Sequence, residues 1–455
     1  MSQEIVALLG FLTIASIVTC LFKSKTHPAI AFITFPSILA IILVLGGYYS
    51  VGNINTLIKG GFSSTSGTAA LFVFSVLYFG IMSDTGMFDV IINKLMKYVG
   101  TNVVHVCVVT AIIALIAHLD GGGASTFCIV IPAMLPVFKK MGMRPTSLLT
   151  ICTISMGVLN LMPWAGPTMR AASVLGMDAS ALWRDILPVQ AIGVVMALGT
   201  AFIVGMMEKK RGAGSGALTE ADTEGIEAKD CESDKNADLK RFNLFAVNLA
   251  LTVGIIALLV WGKFPGYFPF MIGCASALFI NYGASAKLHK RVINLHAGPA
   301  LMMCSTLMGA AVLMGVLVKT AKVGSTVIPS VVTCMSATIA EFIPEALGSH
   351  LSLLIGFLSV PLALCFDTDS YFYGMLPIMI GIGQQFNVSP ESLGVAMVIC
   401  RNCATFISPM VPATLLGCGL AEVDIKDHIK ATFLWVWGFS IICMIFSIAF
   451  GIMQL

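Results

Sequence analysis

Charge is what this chain has least of. Only 11% of its 455 residues are Asp, Glu, Lys or Arg, against about a quarter in an ordinary soluble domain. A water-soluble protein of this length is thereby excluded. The formal net charge of +3 leaves no basic surplus for a nucleic-acid partner. There is no Walker A loop, so no reaction driven by ATP bound within this chain is expected. The 13 cysteines are scattered through apolar segments and read as small apolar fillers, not as a disulfide or zinc framework. The first apolar segment lacks a small-residue cleavage site and further spans follow it, so no cleaved secretory leader is expected.

What is present is hydrocarbon-like sequence. Apolar runs fall near 4–22, 28–49, 67–83, 187–207, 243–262, 267–284, 298–318 and 431–452. Each is long enough to cross about 30 Å of lipid as a helix. The expected fold class is an all-α polytopic membrane protein. One stretch is soluble in character: Glu208 to Arg241 is rich in Gly and charge. It reads as a linker between a first half, 1–207, and a second half, 242–455. Basic clusters near Lys23, Lys94 and Lys97, Lys139 to Arg144, Lys209 to Arg211 and Lys287 to Arg291 belong on the cytoplasmic side. All five fit there, with the linker, only if 100–141 enters the membrane, turns and returns. That segment is expected to be a re-entrant helical hairpin with its tip at 120–126, "DGGGAST".

The second half repeats these features. Asp120, Phe127 and Pro132 correspond to Asp367, Phe372 and Pro377, which sets a second hairpin tip at 367–371. Pro163, Thr168 and Asp178 correspond to Pro409, Thr414 and Asp424 at constant offset. Two helix breaks are therefore expected, near 160–168 and 402–414. Because the first unit begins outside and the second inside, the repeats should be inverted.

Interrupted helices at membrane depth are tolerated only inside protein or against a water-filled cavity. In inverted repeats they mark the midplane substrate sites of secondary transporters. New helix N-termini carry about half a positive charge, and glycines allow an anion to approach the backbone. The substrate-binding candidates are Gly121, Gly122, Gly123, Ser125 and Thr126 at the first tip. Asn160, Gly166, Thr168 and Arg170 belong to the first break, and Asp369, Ser370 and Tyr371 to the second tip. Arg401, Asn402, Ser408 and Thr414 complete the set at the second break. Arg401 and Arg170 offer planar forks matched to carboxylates; the alternatives are a snorkelling Arg or a structural Arg–Asp pair. Asp120, Asp367, Asp369 and His118 are candidates for coupled protons or cations. For the Asp residues the competing reading is helix capping, and for His118 simple packing. No dedicated metal site is expected. Paired Asp residues also suggest an intramembrane aspartyl hydrolase, but the repeat already explains their spacing.

Five stretches carry a resemblance: Ser66–Asp89, Leu119–Pro136, Asn160–Ala172, Asp367–Ile378 and Ile407–Lys430. Together they resemble the citrate–divalent metal:proton symporter family of the ion transporter superfamily. The resemblance implies proton-driven uptake of citrate, with magnesium or calcium carried as part of the substrate and no resident cofactor. It further implies a homodimer in the bacterial cytoplasmic (inner) membrane, working by an elevator mechanism. A sodium-coupled di- or tricarboxylate carrier, or an organic-anion exchanger, is the alternative.

Overall fold

The structure, a computed structural model, describes residues 1–24, 26–97, 100, 102–214, 238–323 and 326–454. Most of the expected linker, 215–237, lies outside the described residues. In the first half run α1 (Gln3–Ser24), α2 (Pro28–Leu45), α3 (Val51–Asp84), α4 (Met87–Met96), α5 (Val103–Ala117), α6 (Gly123–Lys140), α7 (Pro145–Leu159), α8 (Gly166–Leu175) and α9 (Ala179–Lys210). The second half continues with α10 (Phe245–Trp261), α11 (Tyr267–Tyr282), α12 (Ala286–Val318), β1 (Ala321–Val323), β2 (Thr326–Ile328), α13 (Val331–Ala340) and α14 (Glu345–Gly348). It closes with α15 (Leu351–Cys365), α16 (Leu376–Gln385), α17 (Pro390–Cys403), α18 (Pro412–Leu420) and α19 (Ile425–Ala449). Among the described residues nine helices are long and apolar enough to cross a membrane. The protein is thus an all-α polytopic membrane protein apart from one small feature. The antiparallel hairpin β1–β2 was not expected, because three-residue strands leave no usable periodicity.

Helix starts follow local capping chemistry. Ser50 and Asn53 form a reciprocal capping box at α3, and Asp178 and Asp424 cap α9 and α19, satisfying N–H groups that a helix start leaves unpaired. Asp84 departs from this pattern. It ends α3 and stands 2.9 Å from His296, while α4 starts after Gly86 at φ 79 with no side-chain cap.

Helix α3 is 34 residues long and α12 is 33, about 50 Å each at 1.5 Å per residue. Their apolar runs, 67–83 and 298–318, are only the later parts. The polar first part of α3 stays helical because Thr56, Ser64 and Thr65 donate to carbonyls one turn back, hiding their hydroxyls within the helix. The two helices cross on small residues. A Cβ at Gly61 would lie 2.0 Å from the Ala311 carbonyl, and one at Gly315 would lie 2.6 Å from that of Leu57, so glycine is required for this backbone approach.

The same packing recurs in both halves. Helix α5 packs on α7 and α9 as α15 packs on α17 and α19, and α2 packs on α12 as α11 packs on α3. Corresponding turns lie at opposite ends of the molecule. Helix α9 spans 32 residues, about 48 Å, from Asp178 to a buried Glu208 that holds Arg144 at 2.6 Å. Beside Arg144, Lys139 meets Glu422 of the α18–α19 turn at 2.8 Å. The turn bearing Asp424 therefore lies at the far end from the turn bearing Asp178.

Candidate functional site

At the first tip, α5 gives way to a single 3-10 turn, His118–Asp120, and Gly121 takes the left-handed region at φ 73, where a side chain is strained. The Asp120 carboxylate accepts the Gly122 N–H at 2.7 Å and the Ser125 hydroxyl at 2.6 Å. Thr126 donates to the Gly122 carbonyl at 2.7 Å. Through these bonds Asp120, Ser125 and Thr126 build the turn of the tip. Gly123, expected to offer open backbone, also admits a close neighbour: a Cβ there would lie 2.4 Å from the Phe406 ring.

The first break wraps around this tip. Trp164 Nε1 donates to the Leu119 carbonyl at 2.8 Å. His118, fully buried, stands 2.7 Å from Thr126 Oγ1 and 3.1 Å from Asn160 Oδ1. Ending α7 at Leu159 frees carbonyls, and that of Asn160 accepts both the Thr168 hydroxyl at 3.0 Å and Asn402 Nδ2 at 2.9 Å. Each break thus supplies a partner the other lacks, which joins the two halves. Gly166, the first residue of α8, leaves room for Arg170, whose Nη1 a Cβ there would meet at 2.6 Å.

At the second tip, Asp367 accepts the N–H groups of Asp369 and Ser370 at 3.0 and 3.3 Å. The helix then widens into a π turn over Ser370–Met375, which no sequence period announces. Asp369 pairs with Arg170 at 2.6 Å, with both side chains largely buried; this is the Arg–Asp alternative read from sequence. Tyr371 departs from expectation. Its hydroxyl is bonded to Ser359 at 2.6 Å, and its ring lies 5.7 Å from the Arg401 guanidinium, so it braces Arg401 from behind. Ser408 accepts the Met410 N–H at 3.3 Å.

Arg401 is fully buried. It donates to Thr405 at 3.0 Å and to the Phe366 carbonyl at 3.4 Å, and no ion pair among the described residues includes it. Its Nε has no partner there. Neither do Asn160 Nδ2, Ser370 Oγ, Thr414 Oγ1 and Asn402 Oδ1. Buried polar atoms are normally paired, so this concentration at the breaks and the second tip is informative: most of these atoms are donors, and one belongs to a cation. The arrangement is closed, with Thr168, Arg401, Asn402 and Ser408 inaccessible.

Sequence reasoning missed other members of this region. Ser173 and Tyr373 carry buried unpartnered hydroxyls, as do Thr153 and Ser155 on α7; hydroxyls inside the apolar run 147–159 were the available signal. It also passed over the Cys-x-x-Cys spacing of Cys400 and Cys403, which flank Arg401 and Asn402. Both are buried free thiols, one turn apart on α17. Among the described residues no three His, Cys, Asp or Glu side chains converge as a metal site.

The sequence profile of the CitMHS family, whose description is citrate transporter, matches residues 2–400. The chain belongs to this family. Similar proteins in Bacillus subtilis include a citrate transporter, 31% identical across 98% of this chain and 99% of its own length. An Mg(2+)/citrate complex secondary transporter, also 31% identical, covers 94% of each chain. The crystal structure of the Alcanivorax borkumensis YdaH transporter shares the fold at a TM-score of 0.63 and 16% identity, over 94% of this chain and 99% of that one. The protein is accordingly a multi-pass membrane transporter and not an enzyme. The hydrolase alternative also fails on geometry, because Asp120 and Asp367 each direct their carboxylates to their own tip.

Proposed function

We propose that this protein is a secondary transporter of citrate, free or complexed with magnesium or calcium, coupled to protons. The observation that carries the reading is the donor-rich set of buried, unpartnered polar atoms at the two breaks and the second tip, Arg401 Nε among them. A ligand with several carboxylate oxygens satisfies such a set; a cation or an apolar ligand does not. Two relatives named as citrate and Mg(2+)/citrate transporters support the substrate.

The site's charges support a co-transported cation. Two guanidiniums, Arg170 and Arg401, stand against three carboxylates, Asp120, Asp367 and Asp369. A trivalent anion entering such a site needs positive charge with it. A metal–citrate complex bears a net charge of about −1, and moving it inward against 100 mV costs about 2.3 kcal/mol, so two or more protons make uptake favourable. A substrate carboxylate competing with Asp369 for Arg170 supplies the local event that loosens α8 from the second tip.

In this reading 1–207 and 242–455 are two inverted repeats joined by a cytoplasmic linker, 208–241. The tips and breaks move as a unit across the membrane while α3 and α12 hold the scaffold of a homodimer. The bacterial cytoplasmic membrane is the proposed location. The test is uptake of labelled citrate into proteoliposomes, with and without magnesium, under imposed proton or sodium gradients. Uptake that follows the proton gradient supports the proposal. Dependence on sodium alone transfers it to the sodium-coupled alternative, and indifference to every di- and tricarboxylate ends it.

A further inference from the structure

Phe406 sits at the second break between two imidazoles. Its ring meets His118 edge-on, with centroids 5.4 Å apart at 89°, and meets Phe127 at 5.8 Å. This ring is the reason Gly123 cannot carry a side chain. Phe406 also leaves helical geometry, at φ −97 and ψ 16, so its carbonyl is released from the helical ladder. That carbonyl lies 2.9 Å from Nε2 of His428.

His428 is 1% exposed and lies in the first turn of α19. A carbonyl can only accept, so Nε2 carries the hydrogen. The remaining ring nitrogen, Nδ1, then accepts from the Thr432 hydroxyl at 3.2 Å. Thr432 in turn stands 2.8 Å from Thr150 on α7. The imidazole is therefore held at both nitrogens, by the Phe406 carbonyl of the second break and by Thr432 one turn along its own helix, which Thr150 of α7 backs in turn. The matching position in the first half, at the offset that relates Asp178 to Asp424, is Leu182. There the freed carbonyl of Asn160 is met by Thr168 and Asn402 instead. The second break thus depends on a histidine clamp that the first does not have.

We infer that His428 is a positioning residue for substrate binding. It fixes the backbone of the second break through the Phe406 carbonyl, and with it the spacing of Arg401, Asn402, Ser408 and Thr414, without touching substrate. The inference rests on the transport reading above.

The test is citrate uptake into proteoliposomes by His428→Ala, His428→Gln and Thr432→Val, with thermal unfolding of each purified protein as the check on folding. Loss of the clamp leaves a buried carbonyl unpaired, and the Ala variant is expected to raise KM by about tenfold while the maximal rate stays within threefold. Gln, whose amide can donate to the same carbonyl, restores KM to within about threefold of wild type. Thr432→Val keeps the Phe406 bond and shifts KM less than Ala does. His428→Phe, which fills the volume without a donor, replaces Ala if that protein does not fold. Wild-type KM in the Ala or Phe variant overturns the inference, as does a Gln variant as impaired as Ala. Wild-type protein inert to citrate overturns the transport reading itself, and this one with it.

Discussion

Removing the Arg401 charge should separate binding from stability. The guanidinium is fully buried and its partners are a hydroxyl, a carbonyl and an aromatic ring, with no direct ion pair among the described residues, so the resting protein bears a desolvation cost that is only partly offset. Arg401→Gln removes that cost while keeping polar atoms near Thr405 and Phe366. The unliganded variant should unfold at the same temperature as wild type or higher. Its ligand response should nearly vanish. Losing charge-assisted hydrogen bonds worth about 1.5–3 kcal/mol weakens binding by roughly ten- to 150-fold. At a citrate concentration 100 times the wild-type Kd, binding stabilises wild type by about 2.7 kcal/mol. A variant weakened 100-fold is stabilised by only about 0.4 kcal/mol at that concentration. The assay is thermal unfolding of detergent-purified protein with and without citrate and magnesium. Lys in place of Arg should recover part of the response, since it keeps the charge but lacks the planar fork. A variant that is markedly less stable without ligand yet shows the wild-type ligand shift would refute the reasoning.

Three further outcomes are expected. Arg170→Met strands Asp369 as a buried unpaired charge and should destabilise by about 3–5 kcal/mol, whereas Arg170→Met with Asp369→Leu should cost less than the single change, read as a non-additive pair of melting temperatures. Gly123→Ala drives a methyl into the Phe406 ring, costing about 1–3 kcal/mol and most uptake; adding Phe406→Leu should return both. Glu208→Gln weakens the clamp on Arg144, Arg211 and Ser147 far from the breaks. It should lower the melting temperature with a loss of about 1–3 kcal/mol and leave the citrate KM unchanged in uptake assays.

Some of the site was legible because it violates the solvent. Asp120, Arg170, Asp367 and Arg401 stand out in a chain with 11% charge, and paired prolines at matching offsets located both breaks. Their partners were not legible. Arg170 and Arg401 look alike in sequence, yet one is paired directly with Asp369 and the other donates only to a hydroxyl and a carbonyl; only contacts across 199 residues distinguish them. Tyr371 and Ser370 are neighbours, and the π turn sends the tyrosine hydroxyl back to Ser359 while leaving the serine without a partner.

Composition and spacing alone determined that this chain lives in lipid, crosses it repeatedly as helices, and interrupts those helices at paired positions. Each of these follows from local rules: the scarcity of charge, the length of apolar runs, and the clustering of Gly, Pro and polar residues where those runs are interrupted. Tertiary structure alone decided which polar atoms are used up in holding the turns and which remain for a ligand. A hydroxyl or guanidinium carries the same chemistry wherever it falls in the sequence, and whether it is satisfied depends on neighbours brought in from the other half of the chain.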